Sequence, residues 1–145
     1  MYSLKIIKII SPRTTEKLKI WLKNNCIHRE KGPAVLEFDE KNNLKKQTYY
    51  VNNHSYVIEN DTLFRTREPL INSEKGEPSV IYSNGTKEWH DYGYLHRHQL
   101  PAIEYSNGDY EYWNFGKRHR TDGPAVIYGK KQYWYINGEF IKCTN

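Results

Sequence analysis

The chain has 145 residues, 37% of them apolar, a formal charge of +5 and a mean hydropathy of −0.91. That length holds one domain of ordinary size. Thirteen Tyr, four Trp and four Phe supply the burial that aliphatic residues do not, which excludes a disordered chain and points to a shallow core of rings with polar edges.

Met1–Ile10 is apolar but interrupted by Lys5 and Lys8. It is too short to cross a bilayer and has no small-residue cleavage site, so it predicts a first strand over 2–10 and a soluble protein without membrane insertion. Arg13–Lys23 is the one candidate helix, but Thr15–Trp21 aligns with the later segment ending in Trp89 and predicts a strand. Cys26 and Cys143 are the only cysteines and have no CxxC spacing. Two free thiols in a reduced, cytoplasmic setting (host cell or virion, if the chain is viral) are expected. Lys and Arg form looser groups at 5–23 and 117–131, with no block of five like charges, so the pI of about 9.1 eases approach of an anion without marking a nucleic-acid tail.

Self-similarity organises the rest. Ile27–Val35, Leu95–Ile103 and Arg118–Val126 each carry a His-Arg pair ahead of Pro-Ala at one interval, from His28, His96 and His119 to Pro33, Pro101 and Pro124. A degenerate copy ends in Glu77–Tyr82; Pro78, Pro101 and Pro124 are 23 apart. Trp21, Trp89 and Trp113 precede the prolines by 11 or 12 residues, and Trp134 opens a truncated copy. The expected units are about 15–40, 45–83, 86–106, 109–129 and 131–143. The second, with Tyr50 in the tryptophan place, holds an insertion at 53–77. There Ser55–Glu59 and Thr62–Thr66 flank Asn60-Asp61, the pattern of an added hairpin, with a disordered loop as the alternative.

Within a unit, Asp109–Phe115 reads as a strand, Gly116 as a turn, Lys117–Arg120 as the return and Pro124 as the head of the strand Ala125–Tyr128. Asn84-Gly85, Asn107-Gly108 and Asn137-Gly138 are read as equivalent hairpin junctions. The fold expected is all-β: an antiparallel meander of about ten short strands, built from 23-residue hairpin repeats as an elongated single-layer sheet. Each Trp is expected to pack on Ala34, Ala102 or Ala125 of an adjoining copy.

Trp113-Asn-Phe-Gly116-Lys-Arg-His119 resembles the Trp-x-x-Gly-x-x-His core of the MORN-type repeat, and Gly93-Tyr-Leu-His96 resembles half of it. Arg29, Arg97 and Arg120 stand where family members generally carry Gly, and Trp21 and Trp89 lie one residue further from their turns. This His-Arg-x-Asp-Gly-Pro-Ala variant is similar to divergent repeats of large DNA viruses and phages, over roughly residues 15–143. The resemblance implies a scaffold linked to protein assembly or to acidic lipids, and assigns no residue a role.

His28, His96 and His119 recur at one position, which favours a structural job, holding the turn before Pro-Ala by a hydrogen bond. Equivalent positions in successive hairpins lie roughly 10 Å apart, too far for one metal ion. Arg29, Arg97 and Arg120 are expected over tryptophan faces, with an array for phosphates or carboxylates as the alternative. Among the rings, Tyr112 with Tyr133 and Tyr135 is taken as an outward set; together with Arg97, Arg120 and Lys117 these form the candidate binding residues. Cross-strand aromatic pairing is the competing explanation.

Enzyme motifs, a Cys/His nucleophile pattern and paired carboxylates are missing from the sequence, the carboxylates lying at positions that vary between units. No catalytic residue, metal or cofactor is expected. The leading function is a non-catalytic scaffold, viral structural or host-interacting, that binds a protein partner through its sheet face or an edge. Sheet edges also offer self-association. The alternative is nucleic-acid or other anionic-ligand binding through basic and aromatic residues; a third is an enzyme with its site in 53–77.

Overall fold

A computed structural model describes residues 1–59, 62–65 and 71–145, and all regular structure in them is β. The first half holds β1 (Tyr2–Ile10), β2 (Thr15–Lys23), β3 (Cys26–Ile27), β4 (Val35–Phe38), β5 (Leu44–Thr48), β6 (Asn53–Glu59) and β7 (Thr62–Arg65). There follow β8 (Val80–Tyr82), β9 (Lys87–Glu88), β10 (His90–Asp91), β11 (Tyr94–Leu95), β12 (Ile103–Glu104) and β13 (Tyr110–Glu111). The last are β14 (Trp113–Asn114), β15 (Lys117–Arg118), β16 (Val126–Tyr128), β17 (Lys131–Ile136) and β18 (Glu139–Thr144). Fourteen strands form one open antiparallel sheet, while β10–β11 and β14–β15 are small two-stranded arms.

Among the described residues eighteen strands stand in place of the expected ten, and two of the breaks arise where a longer strand changes partner midway. Trp89 donates its N–H to Ala102 O at 2.8 Å, yet its own carbonyl accepts His96 N–H at 3.1 Å, which separates β9 from β10. Tyr112 does the same between Ala125 O, at 2.7 Å, and His119 N–H, at 3.1 Å. Trp21 has the same two partners, Ala34 and His28, but β2 stays continuous because β1 pairs along its whole length.

These bonds correct two alignments. The equivalent of Trp21 and Trp89 in the fourth unit is Tyr112, not Trp113. In the second unit it is Tyr49, whose N–H reaches Ser79 O at 2.8 Å, not Tyr50. Tyr50 instead joins the largest apolar cluster with Ile7, Leu18, Ile20, Leu22, Ile27, Ala34 and Val35. Ala34, Ala102 and Ala125 are fully buried. The bonds that join them to Trp21, Trp89 and Tyr112 run through the backbone.

Directly opposed residues define one cross-strand row: Ile20, Val35, Thr48, Val80, Glu88, Ile103, Glu111, Val126 and Tyr133. Side chains in such a row share a face, and seven of these nine are buried, Glu111 among them.

Turns fall into two classes. Asn24-Asn25, Tyr92-Gly93, Phe115-Gly116 and Asn137-Gly138 have φ positive at both residues, the geometry of a two-residue type I′ hairpin. At Asn84-Gly85 and Asn107-Gly108 only the glycine is positive, and Gly85 and Gly108 bond back to Tyr82 and Tyr105. Asn137-Gly138 is therefore not equivalent to the other two Asn-Gly pairs. In the second unit, β6 and β7 pair antiparallel up to Glu59 opposite Thr62, as a hairpin requires; Asn60-Asp61 and residues 66–70 lie outside the described residues.

Candidate interaction surface

The recurring histidines act between units. Nδ1 of His28, His96 and His119 accepts the backbone N–H of Asn52, Phe115 and Asn137 at 3.0, 3.4 and 3.1 Å. Each acceptor serves the following unit, at a type I′ turn for Phe115 and Asn137 and at the single left-handed residue Asn52, rather than the turn before its own Pro-Ala. A nitrogen that accepts leaves the ring proton on Nε2. In the second unit Asn72 takes the histidine's place, its Oδ1 accepting the N–H of Tyr92. The adjacent Ile71 carbonyl accepts Gly93 N–H at 3.0 Å, as Leu95 does for Gly116 and Arg118 for Gly138. The inserted chain has thus rejoined the common pattern by Ile71.

The recurring arginines hold the Pro-Ala turn. Nη1 of Arg29, Arg97 and Arg120 donates to the carbonyl of Pro33, Pro101 and Pro124 at 3.1, 3.3 and 3.3 Å. The guanidinium carbons lie 4.0, 3.7 and 4.2 Å from the ring centroids of Trp21, Trp89 and Tyr112. Lys142 lies over Trp134, at 4.7 Å. Arg97 is also paired with Glu104 at 2.8 Å and Arg120 with Asp122 at 2.7 Å. Both candidate binding arginines are therefore stacked on rings and charge-paired within the chain.

Trp113, displaced from the stacked position, has a different partner. Its Nε1 donates to Glu111 Oε2 at 2.9 Å, beside Arg118 Nε at 3.0 Å. Oε1 of the same carboxylate accepts Tyr105 OH at 2.8 Å and Tyr128 OH. Burial alone would raise the Glu111 pKa; the hydrogen bonds from Tyr128, Arg118 and Tyr105 outweigh it and hold the group below the usual carboxylate value.

Glu88 is its counterpart, 23 residues earlier and likewise opposite Ile103. Among the described residues its one hydrogen bond is from Tyr82 OH, at 3.2 Å, with His90 Nε2 3.8 Å away, and its pKa is raised, chiefly by burial. Beside it His90 is pushed down to about 4, by burial and then by Lys46. The sequence reading missed this pair. Its signal was Tyr82 and Tyr105, each six residues ahead of a glutamate.

Of the other candidate residues, Tyr112 does not share a face with Tyr133. Tyr112 packs edge-on with Tyr110, on the side opposite Glu111, whereas Tyr133 stands in the Glu111 row and meets Tyr128. Tyr135 meets Phe140. Lys117 lies across the Gly138 turn, as Tyr94 lies across Gly116. Between the third and fourth units a groove of about 560 Å³ is lined by His96, Arg97, Tyr112, Trp113, His119 and Arg120 among others. Cys26 Sγ lies 3.0 Å from His54 Nδ1, a proximity the sequence did not suggest. Among the described residues, no group of three or more His, Cys, Asp or Glu could hold a metal ion, and no helix is long and apolar enough to cross a membrane.

The arm hairpins carry rings that remain largely exposed, although Phe115 also stacks on His96 and Tyr94 lies across Gly116. Tyr92 is 69% exposed, Tyr94 56% and Phe115 48%. Tyr92 and Phe115 sit at φ +48° and +43°, where Asn24, Asn52 and Asn137 stand in other units. No family model, curated protein or solved structure matches the chain.

Proposed function

We propose that the chain is a divergent MORN-like repeat scaffold without catalytic function, and that it binds a protein partner through the exposed rings of its arm hairpins. The observation that carries this reading is the backbone at Tyr92 and Phe115. A left-handed conformation disfavours an L-aromatic residue by about 1 kcal/mol, and Asn or Gly relieves much of that. Strain kept at an exposed ring is accounted for when the ring is used. Aromatic anchors of this kind dominate protein–protein contacts.

The recurring His and Arg side chains support the same reading from the other direction. They are engaged in holding turns and covering rings, which weakens the case for a guanidinium array that grips nucleic acid.

The test compares wild type with Tyr92→Asn and Phe115→Asn in pull-downs from the native cell, read by mass spectrometry. A partner captured by wild type and lost in both variants supports the reading. A partner retained by both overturns the assignment to these rings. RNA or DNA affinity that falls steeply with salt in wild type would favour the anionic-ligand alternative.

A further inference from the structure

From the pairing pattern of β1 we infer that the protein forms a two-fold dimer in which β1 pairs antiparallel with β1 of a second copy, Ile6 opposite Ile6. This stands apart from the proposed function, since β1 carries none of the arm rings.

Among the described residues β1 pairs only with β2, in nine consecutive residue pairs without a register shift. Which groups it leaves over follows from the hydrogen bonds at its two ends. Asn24 N–H reaches Met1 O at 3.0 Å, and Ser11 N–H reaches Thr14 O at 2.9 Å. Odd-numbered residues therefore bond towards β2. By the alternation of an antiparallel ladder, the N–H and C=O of Tyr2, Leu4, Ile6, Lys8 and Ile10 point to the open edge. Four of those five side chains are large and apolar, between 49% and 78% exposed.

An edge about 30 Å long, unbroken by a bulge and largely apolar, is a template for another strand. The opposite edge is built differently: β18 is six residues long, and a bulge interrupts its register with β17. Bulges and short strands are devices that blunt an edge. β1 has neither.

The occupant is a second copy because the edge is self-complementary in one register. With Ile6 opposite Ile6, residues 2–10 overlap fully. Each outward N–H then meets an outward C=O, for roughly ten backbone hydrogen bonds. Tyr2 stands opposite Ile10, Leu4 opposite Lys8, and Lys5 opposite Ile7. A shift of one residue sets Lys5 against Lys8, directly opposed like charges that destabilise a pair, and also reverses the faces. Head-to-tail growth is disfavoured by direction. The path β1, β2, β4, β5, β8, β9, β12, β13, β16, β17, β18 is antiparallel at every step, over an even number of steps, as is the branch β1, β2, β3, β6, β7, so β18 and β7 run the same way as β1. Copies in one orientation would have to pair in parallel.

Proline separates the two sides of the strand, because it removes one N–H and is tolerated where that N–H faces outward. Sedimentation equilibrium of the full chain under reducing conditions, over a range of concentrations, should show a dimer. Ile6→Pro should be monomeric with an unchanged circular dichroism spectrum, whereas Ile7→Pro, which breaks the β2 ladder, should lower the melting temperature. In a Cys26→Ser, Cys143→Ser background, Ile6→Cys should form an interchain disulfide with oxidised glutathione and Lys8→Cys should not. Tyr92→Asn should leave the dimer intact, so that loss of a partner and loss of the dimer are read separately. A wild-type chain that stays monomeric throughout overturns the inference. So does a dimer, or a larger species, that survives in folded Ile6→Pro.

Discussion

Nδ1 of His119 accepts the backbone N–H of Asn137, 18 residues further on, at 3.1 Å. The same relationship links His28 to Asn52 and His96 to Phe115, with Asn72 and Tyr92 completing the series. Tyr92, Phe115 and Asn137 open type I′ turns and Asn52 is left-handed alone; in each case a side chain of the preceding unit holds the N–H of the strained residue. Stability in such an array is largely a sum of nearest-neighbour contacts.

Replacing the acceptor while keeping the ring should therefore destabilise the following unit. His119→Phe removes the acceptor of the exposed Asn137 N–H and is expected to cost about 0.5–1.5 kcal/mol, with His28→Phe, at a buried site, nearer 2–3 kcal/mol. Urea unfolding of the two variants gives both values. Equal stability to wild type would mean that water replaces the ring nitrogen without loss.

The two row glutamates should respond unequally to the same change. Glu111 receives four donors, so Glu111→Gln turns an amide N–H₂ towards groups that also donate, and is expected to cost about 2–4 kcal/mol. Glu88 receives one among the described residues, and burial raises its pKa; Glu88→Gln should cost about 1 kcal/mol or less. Thermal unfolding of both variants in one buffer decides the ranking.

Much of the architecture was legible because periodicity is a property of residue order. The strands at 2–10 and 15–23, the paired strands either side of Asn60-Asp61, and the Arg-over-Trp stacking at Arg29 and Arg97 all follow from local pattern. The errors came where two neighbouring residues competed for one place. Tyr112-Trp113 offers two rings in succession, and Trp113 wins by residue type, while the hydrogen bond to Ala125 selects Tyr112. Trp21 and Trp89, sitting one residue further from their turns, already carried that answer. Asn137-Gly138 reads like Asn84-Gly85 for a similar reason, since the dipeptide is shared and the backbone class is not. The Glu111 cluster was out of reach for a different one: its donors come from β14, β15, β16 and the chain after β12, and only the register brings them to one carboxylate.

Acid should weaken the fold in two steps. His90 ionises near its ordinary value of about 6.5 when unfolded, and only at about 4 when folded. The unfolded chain binds more protons in between, so stability falls as pH drops through that window, by up to about 3 kcal/mol. Glu111, held low in the fold, adds a second loss below about pH 4.5. Glu88 acts in the opposite sense, because a raised pKa favours folding at low pH and that gain is lost as pH rises. Urea midpoints between about pH 7 and about pH 4 should slope in wild type and flatten in His90→Phe. An equal slope in the variant would assign the acid sensitivity to other groups.

The arm turns offer the sharpest separation of stability from use. Tyr92 has φ +48° and a side chain mostly in solvent, and its N–H is already held by Asn72. Asparagine tolerates the left-handed region by bonding locally, and keeps that N–H. Tyr92→Asn should accordingly raise stability by about 0.5–1 kcal/mol. Phe115→Asn should gain less, because Phe115 also stacks on His96 with centroids 4.0 Å apart. A residue whose replacement improves folding is kept for something other than folding. Both variants are expected to unfold at the same or higher denaturant concentration than wild type while losing the bound partner. If Tyr92→Asn proves less stable than wild type, the ring serves the fold, and the argument from strain to binding fails at that position.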